Sequence, residues 1–248
     1  METYAEAILL ETKVTSVTDD ENGLAVSLEG RNAPSAAQIF DRVLVAVGRR
    51  PNSAIAGLDT TRAKVNQRGF IDVDGQRRTA EPSIFAIGDV AGDPMLAHKA
   101  SHEARVAVEA IHGKSSIFEP RAIPAVVFTD PELAWTGLTE TDAKKQNIPI
   151  DIAKYPWAAS GRATTLGRPD GLTKLIIDPE TERILGVGIV GVGAGELISE
   201  GTLAIEMGAL ASDLKLTIHP HPTLSETVME AADVYFGESA HVYKPKKT

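Results

Sequence analysis

Near the C-terminal end, the run His219-Pro220-His221-Pro222-Thr223-Leu224-Ser225-Glu226 alternates two imidazoles with two prolines and follows them with a carboxylate. Each proline fixes its own φ and pushes the residue before it toward extended backbone, so a stiff, non-helical segment presents both rings. Histidine is the side chain whose unperturbed pKa lies nearest neutrality, and a neighbouring carboxylate holds its tautomer and favours its charged form. His221 oriented by Glu226 is therefore the arrangement of a general base. The same residues also have a structural alternative. Thr223-Leu224-Ser225-Glu226 fits the T-x-x-E capping box, with Thr223 as N-cap and Glu226 reaching back from the first turn. Leu224, Val228, Ala231 and Tyr235 follow at helical spacing and Gly237 lies past the end, as in an amphipathic helix with a glycine stop. Orienter and cap both remain open for Glu226.

Two other stretches have the residue types of a ligand site. Gly48-Arg49-Arg50-Pro51-Asn52 follows an apolar run; a glycine there lets a ligand approach the backbone, and arginine suits phosphate or ribose. Taken alone it also reads as an ordinary strand exit. Further on, Ser83-Ile84-Phe85-Ala86-Ile87 reads as a short buried strand with Gly88-Asp89 at its carboxyl end, the edge where open α/β sheets bind ligands. Met95-Leu96-Ala97-His98 then leads into a helix with Ala100, Ala104, Ala107, Val108 and Ile111 on one side and Gly113 after it. Such a helix start offers unpaired N–H groups and a positive dipole end. The plainer readings are a turn aspartate for Asp89 and a helix-start residue for His98.

The elements that must position these residues read as follows. Residues 1–48 form a β-meander: Lys13 to Val17, Leu24 to Leu28, and a longer strand from Ile39 to Gly48, the first two joined by a turn-rich Asp19-Asp20-Glu21-Asn22-Gly23. From Phe118 the pattern changes to strands followed by helices. Ile123 to Glu132 is a strand and turn, Leu138 to Lys145 a short helix capped near Thr139, and Ile150 to Tyr155, Leu172 to Ile177 and Ile184 to Val192 are strands. Helices at 195–208 and 224–236 complete an α+β block. Gly186-Val187-Gly188-Ile189-Val190-Gly191 matches G-x-G-x-x-G, but its glycines lie inside an apolar strand rather than at a helix start. They are assigned to close packing or a bulge, not to a nucleotide.

Composition narrows the function classes. The 248 residues carry a formal charge of −9 and 43% apolar side chains, enough for a sizeable core and unsuited to neutralising nucleic-acid phosphates. The basic tail Tyr243-Lys244-Pro245-Lys246-Lys247-Thr248 reads as a short solvated end. No cysteine is present, so this chain supplies no disulfide, thiolate metal site or thiol nucleophile. No apolar run reaches bilayer length and the first residues lack a basic signal start, which predicts a soluble, intracellular chain.

Taken together, Val47-Gly48-Arg49-Arg50-Pro51-Asn52, Ser83 through Asp89, Met95-Leu96-Ala97-His98, Pro156-Trp157-Ala158-Ala159-Ser160-Gly161-Arg162 and His219 through Glu226 stand in the order seen in the flavin disulfide reductases. The chain resembles that family over essentially its whole length. Within it, the likeness is to members that oxidise dihydrolipoamide for the 2-oxo-acid dehydrogenase complexes; members acting on glutathione disulfide or mercuric ion are the sibling reading. A non-catalytic dimerisation or assembly module is the alternative from another class.

The resemblance implies an α+β fold in which a C-terminal dimerisation domain is preceded by partial FAD- and NAD-domain segments. Residues 1–48 would be a remnant of the NAD-binding domain, 49–118 the C-terminal part of the FAD-binding domain, and 119–248 the interface domain. The family's upstream flavin fingerprint, redox-active cysteine pair and second dinucleotide fingerprint are absent here, so the resemblance implies the C-terminal portion of a longer enzyme, inactive alone. Carried over by motif, Asp89 would hydrogen-bond a ribityl hydroxyl of FAD. The backbone of Met95, Leu96, Ala97 and His98 would face the flavin's pyrimidine edge, and Gly48 would lie against NAD. His221 would take a thiol proton, Glu226 would orient it, and His219 would shape the same wall; no metal is implied. The implied partners are a second copy of the chain and the lipoyl domains of a 2-oxo-acid dehydrogenase complex, without nucleic acid or membrane. The implied compartment is the cytoplasm, or the mitochondrial matrix in a eukaryote.

Overall fold

A computed structural model describes residues 5–242, so the basic tail at 243–248 lies outside the described residues. The chain divides into two compact units, one ending at Arg50 and the other beginning at Pro51.

The first unit is an antiparallel meander of β1 (Thr12–Asp20), β2 (Gly23–Gly30) and β3 (Gln38–Phe40), in that order. The β1–β2 turn is tight because the Asp20 carboxylate accepts the Asn22 N–H at 2.9 Å, an aspartate turn. The expected strand to Gly48 stops at Phe40. Leu44 and Val47 are each 92% exposed, and β-branched propensity makes no strand where no neighbour completes the ladder. Gly48 has φ +110°, and a Cβ built there would meet nothing within 4 Å.

In the second unit, residues 83–87 do not form the expected strand; an isolated bridge between Arg78 and Phe85 takes its place. A 3-10 turn, Gly88–Val90, follows, and then helix α1 (Ala97–Ile111). Its inner face differs from the apolar one read from the sequence. Lys99, Glu103, Ala107 and Ala110 are buried, while Val108 and Ile111 are each 64% exposed. The cause is an ion cluster. The Glu103 carboxylate, fully buried, meets Arg77 Nη1 and Lys99 Nζ at 3.0 Å each and accepts the Gly88 N–H at 2.6 Å. Lys99 also donates to the Gly92 carbonyl at 3.0 Å. A buried charge is tolerated only when paired and hydrogen-bonded, and here the pairing ties the Gly88–Val90 turn to α1.

The rest of the unit is built on an antiparallel sheet of β4 (Ala125–Val127), β5 (Glu132–Gly137), β6 (Asp151–Pro156), β7 (Leu172–Ile177) and β8 (Ile184–Gly191), ordered β4-β5-β8-β7-β6. Of these, β5 is new relative to the sequence reading. Its Ala134 and Thr136 face the core and Leu133 and Trp135 face outward, the alternation of a half-buried strand. Helix α2 (Glu140–Gln146) starts at Thr139, whose Oγ1 accepts the Asp142 N–H at 3.1 Å. A short helix α3 (Gly161–Thr165) is capped by Ser160. Helix α4 (Ala194–Met207) covers β5 and β8, and α6 (Glu226–Phe236) covers β6 and β7, with α5 (Ala211–Leu216) beside α6. The G-x-G-x-x-G match does lie in β8. A Cβ at Gly186 would sit 2.0 Å from the Leu138 carbonyl oxygen, and one at Gly191 would sit 2.2 Å from the Trp157 ring, so both glycines serve close packing.

One buried hydrogen-bond chain crosses this core. Trp157 Nε1–H donates to Thr173 Oγ1 at 3.0 Å, Thr173 donates to Thr227 Oγ1 at 2.8 Å, and Thr227 donates to the Leu224 carbonyl at 2.7 Å. It joins the segment after β6, strand β7 and the first turn of α6, and every donor has an acceptor. Thr227→Val keeps the shape but leaves the buried Thr173 hydroxyl without its acceptor. That should cost about 1–3 kcal/mol, read as a lower urea midpoint at unchanged m value, with Thr227→Ser recovering most of the loss. Unchanged stability in the valine variant would mean that the chain does not brace α6.

Candidate functional site

The start of α6 places Glu226. The helix is entered through Ser225 in the right-handed helical region, without a side-chain cap, so the capping box with Thr223 as N-cap is not formed. Thr223 Oγ1 instead donates to the Pro220 carbonyl at 2.7 Å and contacts Ser225 Oγ at 2.9 Å. Half of the box survives: Glu226 Oε2 accepts the Thr223 backbone N–H at 2.7 Å. The other oxygen, Oε1, meets His221 Nδ1 at 2.9 Å. One carboxylate therefore does both jobs read from the sequence, holding the loop and orienting the imidazole.

The consequence for His221 is a fixed tautomer. Nδ1 carries its hydrogen toward Glu226, which leaves the Nε2 lone pair available; Nε2 has no hydrogen bond among the described residues. The His221 side chain is 78% exposed and that of Glu226 20%, so an open ring stands on a shielded acid. The His221–Pro222 peptide is cis. His219 is placed differently. Its side chain is 5% exposed, Nε2 meets Glu200 Oε1 of α4 at 2.7 Å, and Nδ1 meets the Thr217 carbonyl at 2.9 Å. Both nitrogens are committed, so His219 braces the loop to α4 and, of the two, it is His221 that keeps one free among the described residues.

The acid is tuned by its surroundings. Burial by itself would raise the Glu226 pKa, but the Thr223 N–H and the His221 ring, with a further contribution from His219, outweigh it and hold the carboxyl below its usual value. A cleft of about 200 Å³ opens beside the dyad, lined by Tyr155, Ser160, His221, Glu226, Glu230 and His241 among others. Tyr155 donates its hydroxyl to the Ala159 carbonyl at 2.9 Å. Burial, and after it Glu230 and Glu226, pushes its pKa up to about 12, so it remains a neutral phenol.

The other sequence-derived candidates lie elsewhere. Asp89 sits in the Gly88–Val90 turn pinned by Glu103, and Met95 and Leu96 are half-buried at the start of α1. Leu96 provides no side-chain cap, so the first-turn N–H groups of α1, from Ala97 onward, are left for another acceptor. The His98 ring is exposed, with Nε2 on the Pro124 carbonyl at 2.7 Å. None of Asp89, Met95, Leu96, Ala97 or His98 lines the cleft at His221. Among the described residues no group of three or more His, Asp or Glu is disposed to hold a metal, and no helix is long and apolar enough to cross a membrane. The sequence reading missed Glu103, Lys99, Thr173, Thr227, Glu230 and His241. Only Glu230 carried a signal, four residues after Glu226 on a helix.

Comparison with known proteins places the chain in a family. Residues 123–232 match the dimerisation domain of the pyridine nucleotide-disulphide oxidoreductases, and residues 7–104 match the pyridine nucleotide-disulphide oxidoreductase model that accompanies it. The chain belongs to the pyridine nucleotide-disulphide oxidoreductases. It is 53% identical over 230 residues to the dihydrolipoyl dehydrogenase of Vibrio cholerae, covering 93% of this chain and 48% of that protein. To the dihydrolipoyl dehydrogenase of Thermus scotoductus it is 49% identical, covering 93% and 50%. Among solved structures, LpdA from Mycobacterium tuberculosis aligns with a TM-score of 0.80 at 26% identity, covering 89% of this chain and 48% of that one. The chain thus spans about half the length of the curated relatives it matches.

The lowered Glu226 pKa gives a pH signature. A carboxylate whose folded pKa is depressed contributes stability that is fully present above its unfolded value, about 4.3 for glutamate, and lost as pH falls through the folded value. The stability difference between the unmodified chain and Glu226→Gln should therefore be largest above about pH 5 and shrink toward acid. A difference that stays constant from pH 7 down to about pH 3 would remove the His221–Thr223 clasp as its source.

Proposed function

We propose that this chain supplies the acid–base dyad and the subunit-pairing domain of an enzyme that oxidises dihydrolipoamide with NAD⁺ as final acceptor. One observation carries the reading: His221 is held by Glu226 through Nδ1 and keeps Nε2 free at an open cleft. A group so arranged takes the proton of a thiol, and the thiolate left behind is the attacking species in thiol–disulfide exchange. The proton is stored at Nε2 as imidazolium while Glu226 balances the charge. The high identity to two dihydrolipoyl dehydrogenases supports dihydrolipoamide over glutathione as the dithiol.

This chain has no cysteine, so the disulfide partner comes from outside it, and the chain alone should be inactive. We assign residues 1–48 to an NAD-binding portion, 49–118 to an FAD-binding portion and 119–248 to the interface domain, in keeping with the two matched family models. The residues present fit a flavin: the α1 start at Met95, Leu96, Ala97 and His98 has no side-chain cap, and Asp89 stands on the anchored turn just before it. FAD, when bound, supplies the two-electron chemistry between dithiol and nicotinamide. Toward it, the α1 N–H groups would donate to the electron-rich edge of the ring and Asp89 would accept from a ribityl hydroxyl. Gly48, without a side chain, would leave room for the nicotinamide nucleotide. The partner copy in a homodimer would bring the disulfide to His221, and lipoyl domains of a 2-oxo-acid dehydrogenase complex would deliver the substrate in the cytoplasm or matrix.

In the complete flavoenzyme, His221→Gln should lower dihydrolipoamide turnover by about 10²–10⁴-fold, the range for a lost acid–base group, with flavin content unchanged. Turnover within about twofold of normal would take His221 out of the reaction. The isolated chain mixed with FAD should stay nearly colourless and inactive after gel filtration. Stoichiometric flavin absorbance would show that residues 49–118 bind FAD unaided.

A further inference from the structure

Two other side chains of the cleft repeat the dyad's geometry. Glu230 stands four residues after Glu226 and thus one turn further along the same face of α6. Its Oε1 meets His241 Nδ1 at 2.7 Å, and its Oε2 accepts from Ser239 Oγ at 3.0 Å. Ser239 Oγ in turn accepts the backbone N–H groups of His241 and Val242 at 3.3 and 3.1 Å. In both pairs one carboxylate oxygen holds a histidine Nδ1 and the other holds a donor from the adjoining loop. In both, the acid is shielded and the ring is open: the side chains of Glu230 and His241 are 11% and 58% exposed. Both histidines and both acids line the same cleft.

Resting on the function proposed above, we propose that Glu230–His241 is a second proton-holding pair, which takes the proton released by His221 and delivers it to solvent. Oxidation of a dithiol to its cyclic disulfide breaks two S–H bonds, forms one S–S bond, and gives up two electrons and two protons. A hydride carries off both electrons with one proton, so one proton per cycle is left for the protein to move. His221 receives it at Nε2 and must lose it before the next dithiol can be deprotonated. His241 Nε2 has no hydrogen bond among the described residues, and His241 lines the same cleft as His221. Glu230 Oε1 meets its Nδ1 as Glu226 Oε1 meets that of His221.

Other ionisable groups surround the pair. Glu226 and Asp233 face Glu230 from α6, His221 faces it from the loop, and Tyr155 from β6. Burial and the two carboxylates keep Tyr155 protonated, so it does not compete for the proton. Two carboxylates one turn apart bring two negative charges to one wall, which two imidazoles can neutralise with two protons. His241 is a positioning and relay group and not the base itself.

The test uses the complete FAD-loaded enzyme with dihydrolipoamide and NAD⁺, comparing unmodified, His241→Gln and Glu230→Gln proteins. We expect kcat of His241→Gln to fall roughly tenfold in weakly buffered solution, less than for loss of the base, with KM for dihydrolipoamide and flavin content unchanged. One ionisation should disappear from the kcat–pH profile, and added imidazole should restore most of the rate. Glu230→Gln should behave alike but recover less. Unchanged kcat and pH profile would overturn the relay, as would a loss of rate that imidazole does not restore, which would mark a structural clasp. If the unmodified enzyme fails to oxidise dihydrolipoamide, the function reading falls and the relay with it; if it succeeds and the variants match it, only the relay falls.

Discussion

The site depends on a single carboxylate being used at both of its oxygens. Glu226 accepts the Thr223 N–H with one and orients His221 with the other, so the loop's backbone and the imidazole's tautomer are fixed by one charge. The position at the first residue of α6 helps, because a helix N-terminus favours negative charge. The helix start is itself immobilised from below by the Trp157–Thr173–Thr227 chain, and His219 fastens the far side of the loop to α4 through Glu200. The His221 ring is thus held by a helix terminus, a buried polar chain and a second histidine, and not by the prolines alone.

A similar strategy holds the other half of the second unit together. The buried Glu103 collects Arg77, Lys99 and the Gly88 N–H. Burying such charges gains little net stability, since desolvation offsets most of the attraction. Its use is geometric: it sets the Gly88–Val90 turn, and with it Asp89, against α1. Both candidate stretches of this unit are thus positioned by a carboxylate that collects more than one donor, Glu103 fully buried and Glu226 partly shielded.

The α+β pattern, most of the strands of the five-stranded sheet, the capping of α2 by Thr139 and the His221–Glu226 pairing were legible in the residues. Each rests on local information: period-two or helical spacing, a capping threonine, or two side chains a few residues apart in a stiff segment. The resemblance rested on ordered motifs, and the family it named is the one to which the chain belongs. The rejected G-x-G-x-x-G was legible too, because its glycines fell within an apolar run.

What the residues could not convey is long-range. The strand to Gly48 was read from propensity but ends at Phe40 for want of a neighbour. The inner face of α1 was read as alanine, valine and isoleucine, but Arg77, 26 residues before Glu103 in the chain, turns the charged face inward. Thr173 and Thr227, 54 residues apart, form a hydrogen bond no local pattern announces. His241 reaches Glu230 only because the chain folds back after Gly237. By itself, the sequence determined most strands of the five-stranded sheet, the helices α1, α2, α4 and α6, and the pairing of His221 with Glu226, since those follow from neighbours along the chain. Which charges are buried, which imidazole nitrogen is free and which second pair shares the cleft were decided only by tertiary structure, because each depends on partners that distant chain segments bring together.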